Sequence, residues 1–198
     1  MKLNKKIVLA VASLGLVATM AVGGTLAYFT DTDAKKNEFV LGKVDISLVE
    51  DTNDEKGQKL EDESGIKYSD VMPGDELEKN VDVKVNEDSR DAYIAVKIDI
   101  VGDFTENDDA VAAPEVDVKV EWTEVAEGFY VYKGTEEAVV AKAVSAESVI
   151  DVFDSVSVPT EWTQSHDFDI EITAYAVQAE NVDEATAIVE LKKLAGIE

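Results

Sequence analysis

Apolar and polar side chains alternate with a period of two along most of this chain, which points to a layered β structure. Val44, Ile46 and Leu48 alternate with Asp45 and Ser47, and Val81, Val83 and Val85 with Asp82 and Lys84. Ala92, Ile94, Val96, Ile98 and Ile100 form the longest early set, with Lys97 and Asp99 on the opposite face. Val116, Val118, Val120 and Trp122 alternate with Asp117, Lys119 and Glu121; Phe168, Ile170, Ile172, Ala174 and Ala176 close the series. Shorter strands are predicted at 129–132, 137–144 and 152–158, the last stopped by Pro159. A greasy face backed by a charged one suits antiparallel sheets packed face to face. Helix-period segments between strands are nearly absent, which argues against parallel βαβ units. The expected fold class is therefore all-β, an antiparallel β-sandwich or jelly roll, with a short C-terminal helix. For that helix Asn181 can cap, Glu184 stands three residues later, Ile188, Leu191 and Ala195 share a face, and Gly196 is a stop. Residues 51–69 are polar and acidic and read as a long loop.

The first 27 residues have a separate character. Lys2, Lys5 and Lys6 give a positive start, and no charge follows from Ile7 to Val22. Gly23 and Gly24 break the apolar run, and Thr25 and Ala27 place small side chains three and one before a cut ahead of Tyr28. That is the layout of a cleavable signal peptide. The uncharged run is 16 residues, short of the roughly 20 that span a bilayer as a helix. The expectation is a leader at 1–27 and a single sandwich domain at 28–198, secreted to the cell surface or extracellular matrix. Membrane contact is expected only through the uncleaved leader.

An exported chain can use disulfides, yet this one has no cysteine. Its 43 acids outweigh 18 Lys and Arg, and removal of the three leader lysines takes the formal net charge from −25 to −28. Such a surface repels nucleic acid and anionic membrane. Salt, divalent cations or acid would relieve the repulsion between copies.

Catalytic sets are scarce. A catalytic zinc takes three protein ligands, commonly including histidines, and the chain has one histidine, His166, read as an exposed loop residue. No Gly-x-Ser-x-Gly elbow presents a serine. No enzyme activity and no cofactor are expected, with calcium the one ion left open. Asp51, Asn53 and Glu55 place oxygens at alternate positions and Asp62 falls twelfth, but Lys56 occupies the sixth place, where an EF-hand loop needs glycine. The competing reading is a solvated acidic loop, and Asp103 with residues 106–109 form a second one. Trp122, Trp162, Tyr130 and Tyr132 read as core or rim aromatics rather than a sugar-stacking platform. Pro73-Gly74 reads as a turn.

Specific segments also carry a resemblance. Gly23-Gly24-Thr25-Leu26-Ala27-Tyr28-Phe29 resembles leaders cut by the dedicated signal peptidase SipW. Asn37-Glu38-Phe39-Val40-Leu41-Gly42-Lys43-Val44-Asp45-Ile46, Val71-Met72-Pro73-Gly74-Asp75 and Ile172-Thr173-Ala174-Tyr175-Ala176-Val177-Gln178 resemble pieces of the TasA/camelysin (CalY) family of secreted matrix proteins. The resemblance implies a jelly roll that self-associates, or joins related matrix subunits, into biofilm-matrix fibres by strand addition. The donor would be residues 28–38, starting with Tyr28 and Phe29 and running towards Phe39. Asp31-Thr32-Asp33 predicts that this donor is short and interrupted. A calcium-dependent surface adhesion module is the alternative, and a secreted metalloprotease, known among camelysin relatives, is the third. Residues 191–198 show neither a sortase-type signal nor an apolar tail, so retention by self-assembly or by a partner is expected.

Overall fold

The computed structural model describes residues 30–33, 44–59, 65–107, 109–135 and 141–197. Thirteen strands lie among them: β1 (Thr30–Asp33), β2 (Ile46–Asp51), β3 (Gly57–Lys59), β4 (Ile66–Tyr68), β5 (Glu76–Val85), β6 (Ala92–Gly102), β7 (Thr105–Glu106), β8 (Asp109–Ala110), β9 (Glu115–Val116), β10 (Trp122–Ala126), β11 (Phe129–Tyr132), β12 (Val149–Ser157) and β13 (Phe168–Gln178). One helix, α1 (Glu184–Leu194), follows. A five-stranded sheet runs β1-β13-β6-β11-β10 and a four-stranded sheet β2-β5-β12-β9, with β3-β4 and β7-β8 as small hairpins. The pairings are antiparallel. The fold is the expected all-β sandwich with a C-terminal helix.

Alternation explains the main core. Leu77, Val81, Val83 and Val85 of β5 face Ile94, Val96 and Ile98 of β6 across the two sheets, together with Val152, Phe153 and Val156 of β12. Each such side chain, taken fully out of water, contributes roughly 1.5–3 kcal/mol. Trp122 and Trp162 are buried at its margins, and their indole N–H groups donate to the carbonyls of Asp151 and Ala112, both at 2.8 Å. These tryptophans are core residues, as expected. Met72-Pro73-Gly74-Asp75 forms the expected turn: Asp75 N–H donates to Met72 O at 3.0 Å, and Gly74 takes φ +83° at the position that needs it.

A second core lies on the other face of the five-stranded sheet. Tyr93 and Ala95 of β6, Phe129 and Val131 of β11, and Tyr175 and Val177 of β13 are covered by Ala187 and Leu191 of α1. Both faces of β6 and β13 are therefore apolar near that end, which departs from the one-greasy-face expectation. The uninterrupted run Tyr93-Ile94-Ala95-Val96 is its trace in the sequence. Asp183 rather than Asn181 caps the helix, its carboxylate accepting from Thr186 N–H at 3.0 Å. Beyond the last turn Gly196 N–H donates to Lys193 O, and Ile197 N–H to Lys192 O.

Two further expectations are corrected, and a third falls partly outside the described residues. The predicted strand from Val116 to Trp122 is split: Val116 pairs with Val156 in one sheet, while Trp122 opens β10 in the other. The residues between them cross from sheet to sheet, through a turn in which Trp122 N–H donates to Lys119 O, and leave Val120 78% exposed. The acidic loop at 51–69 contains the β3-β4 hairpin. In the predicted strand at 137–144, residues 137–140 lie outside the described residues, and Val144 makes only an isolated bridge with Ala92.

Candidate functional site

β13 pairs with β6 along its whole length, from Phe168 opposite Gly102 to Gln178 opposite Ala92. Among the described residues its other edge carries β1 over four positions, Thr30 opposite Val177 through Asp33 opposite Ala174. Residues 168–173 of that edge have no strand partner among the described residues. β1 also lies beside β2, so it sits at a seam where the two sheets meet. An unpaired row of N–H and C=O groups is a template for another strand. The donor residues Tyr28, Phe29 and Phe39, and the cleavage residues Thr25 and Ala27, lie outside the described residues. The strand that is described starts two residues beyond Tyr28 and runs through Asp31-Thr32-Asp33, the stretch read from sequence as an interruption.

The free end of β13 is fastened by a cluster that sequence reading missed. His166, expected to be exposed, has a side chain only 5% exposed, and Glu106, placed by sequence in a solvated loop, is 7% exposed. Nε2 of the imidazole lies 3.1 Å from Glu106 Oε1, and Nδ1 lies 2.9 Å from the Asp103 carbonyl. Glu106 also accepts from Thr163 N–H at 2.8 Å, from Gln164 N–H at 3.3 Å and from the Thr163 hydroxyl. Hydrogen bonds from Thr163 first, then His166 and the two amides, pull the Glu106 carboxyl down to about 2. The Glu106 contact in turn raises His166 above its ordinary value. Trp162 meets the imidazole edge-on at 4.7 Å, and Phe104 stacks on Trp162 at 6.0 Å. The sequence signal was faint: a histidine two residues and a tryptophan six residues before an 11-residue alternating strand.

The residues proposed for calcium are placed in part. Asp51 Oδ1 accepts from Thr52 N–H at 2.8 Å and pairs with Lys59 at 3.0 Å. Asn53 donates to Glu78 Oε1 at 2.9 Å, Glu55 occupies the turn before β3, and Asp62 lies outside the described residues. The neighbouring Asp54 stitches this loop to β5, accepting from Glu78 N–H at 3.1 Å and from Lys56 N–H at 2.8 Å. Lys56 in turn pairs with Asp75, tying the loop to the Pro73-Gly74 turn.

On the outer face of the four-stranded sheet Asp82 and Asp151 stand directly opposite each other. Burial, and then the charge of Asp154, lifts both carboxyl groups. Lys119 bonds Asp154 and approaches Asp151 at 3.7 Å. Like charges paired across strands are destabilising. The penalty is present above the folded pKa values and vanishes as pH falls towards the ordinary carboxylate value of 3.8.

Residues 2–184 match the protein family described as camelysin metallo-endopeptidase. Comparison with curated proteins and with solved structures gives no match. The family match stops where α1 begins. The description implies a metal, and the donor set does not fit a histidine-bearing catalytic centre: the chain has one histidine and no cysteine, and both nitrogens of that imidazole are engaged by protein oxygens. Among the described residues no three His, Cys, Asp or Glu side chains are grouped to hold a metal ion. With nearly its whole length inside the match, the chain belongs to the camelysin family.

Proposed function

We propose that this chain is a secreted structural subunit of the cell surface or biofilm matrix that joins copies of itself into fibres by exchanging its N-terminal strand. Family membership supports a secreted matrix-type protein. The observation that carries the finer reading is the seating of the N-terminal strand β1 at the edge of the five-stranded sheet, on β13, where residues 168–173 have no strand partner among the described residues. A strand seated on its own chain can be replaced by the same strand of a neighbour, because the ladder bonds are identical in both arrangements. Cleavage after Ala27 by a SipW-type peptidase would free Tyr28 and Phe29 to lead the donor. A donor keeping the β1 register beyond Asp33 would bring Lys36 opposite Glu171 and Phe39 opposite Phe168. Acid would favour contact between copies by neutralising the opposed Asp82 and Asp151.

Two forms of the protein test this, one starting at Tyr28 and one at Phe39. Electron microscopy and sizing across salt, acid and calcium are expected to show fibres from the longer form and monomers from the shorter. Monomers from both forms under every condition would overturn the proposal.

A further inference from the structure

We propose that Glu106, His166 and the Asp103 carbonyl form a pH-dependent clasp that sets how firmly the free end of β13 is held. The clasp begins where the β6–β13 ladder ends: Phe168 is the last residue of β13 paired, opposite Gly102, and His166 and Asp103 are the next polar contacts outward. Only the imidazolium donates from both ring nitrogens. The neutral ring keeps one N–H, so it must give up either the Asp103 carbonyl or Glu106, and a lone pair then faces an acceptor. The charged groups acting on the ring are Glu106 and Asp103, and the shell around it is completed by the rings of Phe104 and Trp162. Thr163 and Gln164 hold Glu106 from the other side and do not titrate.

The sign follows from both partners. His166 is raised above 6.5, so its contribution is complete below pH 6.5 and fades as pH rises through the folded value. Glu106 is lowered from 4.5 to about 2, so its contribution is complete above pH 4.5 and is lost as pH falls through about 2. The clasp is fully closed between pH 4.5 and 6.5. Above that window it loosens the stretch of β13 to which a neighbour's strand would add. Clasp release thereby couples alkaline pH to the accepting edge, an inference that rests on the strand-exchange reading.

Because His166 is the one histidine of the chain, its proton resonance can be titrated without ambiguity. The midpoint is expected above 6.5 in the wild type and lower in Glu106→Gln. Trp162 emission is expected to follow the same midpoint. Amide exchange at 168–173, corrected for intrinsic base catalysis, is expected to accelerate through that midpoint. The gain is roughly tenfold per pH unit between the folded and unfolded histidine values. His166→Gln, which keeps a donor but does not titrate, is expected to remove the pH step. A wild-type midpoint at or below 6.5, or exchange at 168–173 that ignores the titration, overturns the clasp. These readouts come from the monomer, so absent fibres with an intact titration reject strand exchange alone.

Discussion

Truncation of Phe129 to alanine is expected to cost about 3–5 kcal/mol of stability, the range for a fully buried aromatic. Phe129 is 0% exposed, and its ring lies 5.9 Å from Tyr175 in the core between the five-stranded sheet and α1. The site has little freedom to collapse. β11 is hydrogen-bonded between β10 and β6, and the preceding Gly128 holds φ +63° with the Ile98 carbonyl only 2.6 Å from where a Cβ would stand. For a domain of this size each kcal/mol moves Tm by about 2–4 °C, so a fall of roughly 10 °C is expected. Val189→Ala, on the solvent face of the same helix at 62% exposure, should stay within about 0.5 kcal/mol. Urea unfolding of both variants checks this, and a Phe129→Ala loss below about 1 kcal/mol would mean that α1 does not seal this face.

Glu50→Ala is expected to destabilise by a similar amount for a different reason. Leu77, Lys79, Val81, Val83 and Val85 form the inward face of β5, so Lys79 is a charge in an apolar row, with its side chain 5% exposed. Its ammonium meets Glu50 Oε2 at 2.7 Å, and Glu50 sits opposite Val81 on β2, an edge strand. Removing the carboxylate strands the ammonium, at a cost of about 3–5 kcal/mol. Replacing both partners, as in Glu50→Leu with Lys79→Met, should be close to neutral, because each ion then no longer has to be desolvated. The pair also fixes register. A one-residue slip of β2 would turn Glu50 outward and carry Val49 and Asp51 to the core face. If Glu50→Ala and the double replacement unfold at the same urea concentration, the buried pair has no such role.

The long strands could be read from the chain because burial on one face writes itself as alternation, as in β5, β6, β12 and β13. The helix was legible from its cap residues and apolar spacing, although the cap moved to Asp183 because Thr186, not Glu184, supplies the partner N–H. What stayed hidden depends on groups distant in sequence. The β3-β4 hairpin is held by the Thr52 and Tyr68 hydroxyls donating to the Glu78 carbonyl, and by Asp54 accepting from Glu78 N–H. None of those contacts leaves a period. Val116 to Trp122 alternates as a strand does, yet its two ends are claimed by different sheets. His166 looked like a loop residue because its partner, Glu106, is 60 residues away. At the candidate site β13 was legible as an alternating strand, and the resemblance drew attention to the N-terminal segment 28–38. The seating of Thr30–Asp33 on β13 was not legible, since Asp31 and Asp33 lack any apolar alternation.

A cross-link between Thr30 and Val177 tests strand exchange most directly. Antiparallel partners have Cα atoms about 4.5–5.5 Å apart, within the span of a disulfide. Thr30 and Val177 are such partners, and the chain has no cysteine to compete. The double variant Thr30→Cys with Val177→Cys, oxidised as a dilute monomer, is expected to stay monomeric and to form fibres only after reduction. When fibres are formed first and oxidised afterwards, a covalent ladder of subunits is expected on a denaturing gel. Fibres growing equally well from oxidised monomers, or only single-chain bands from oxidised fibres, would contradict strand exchange.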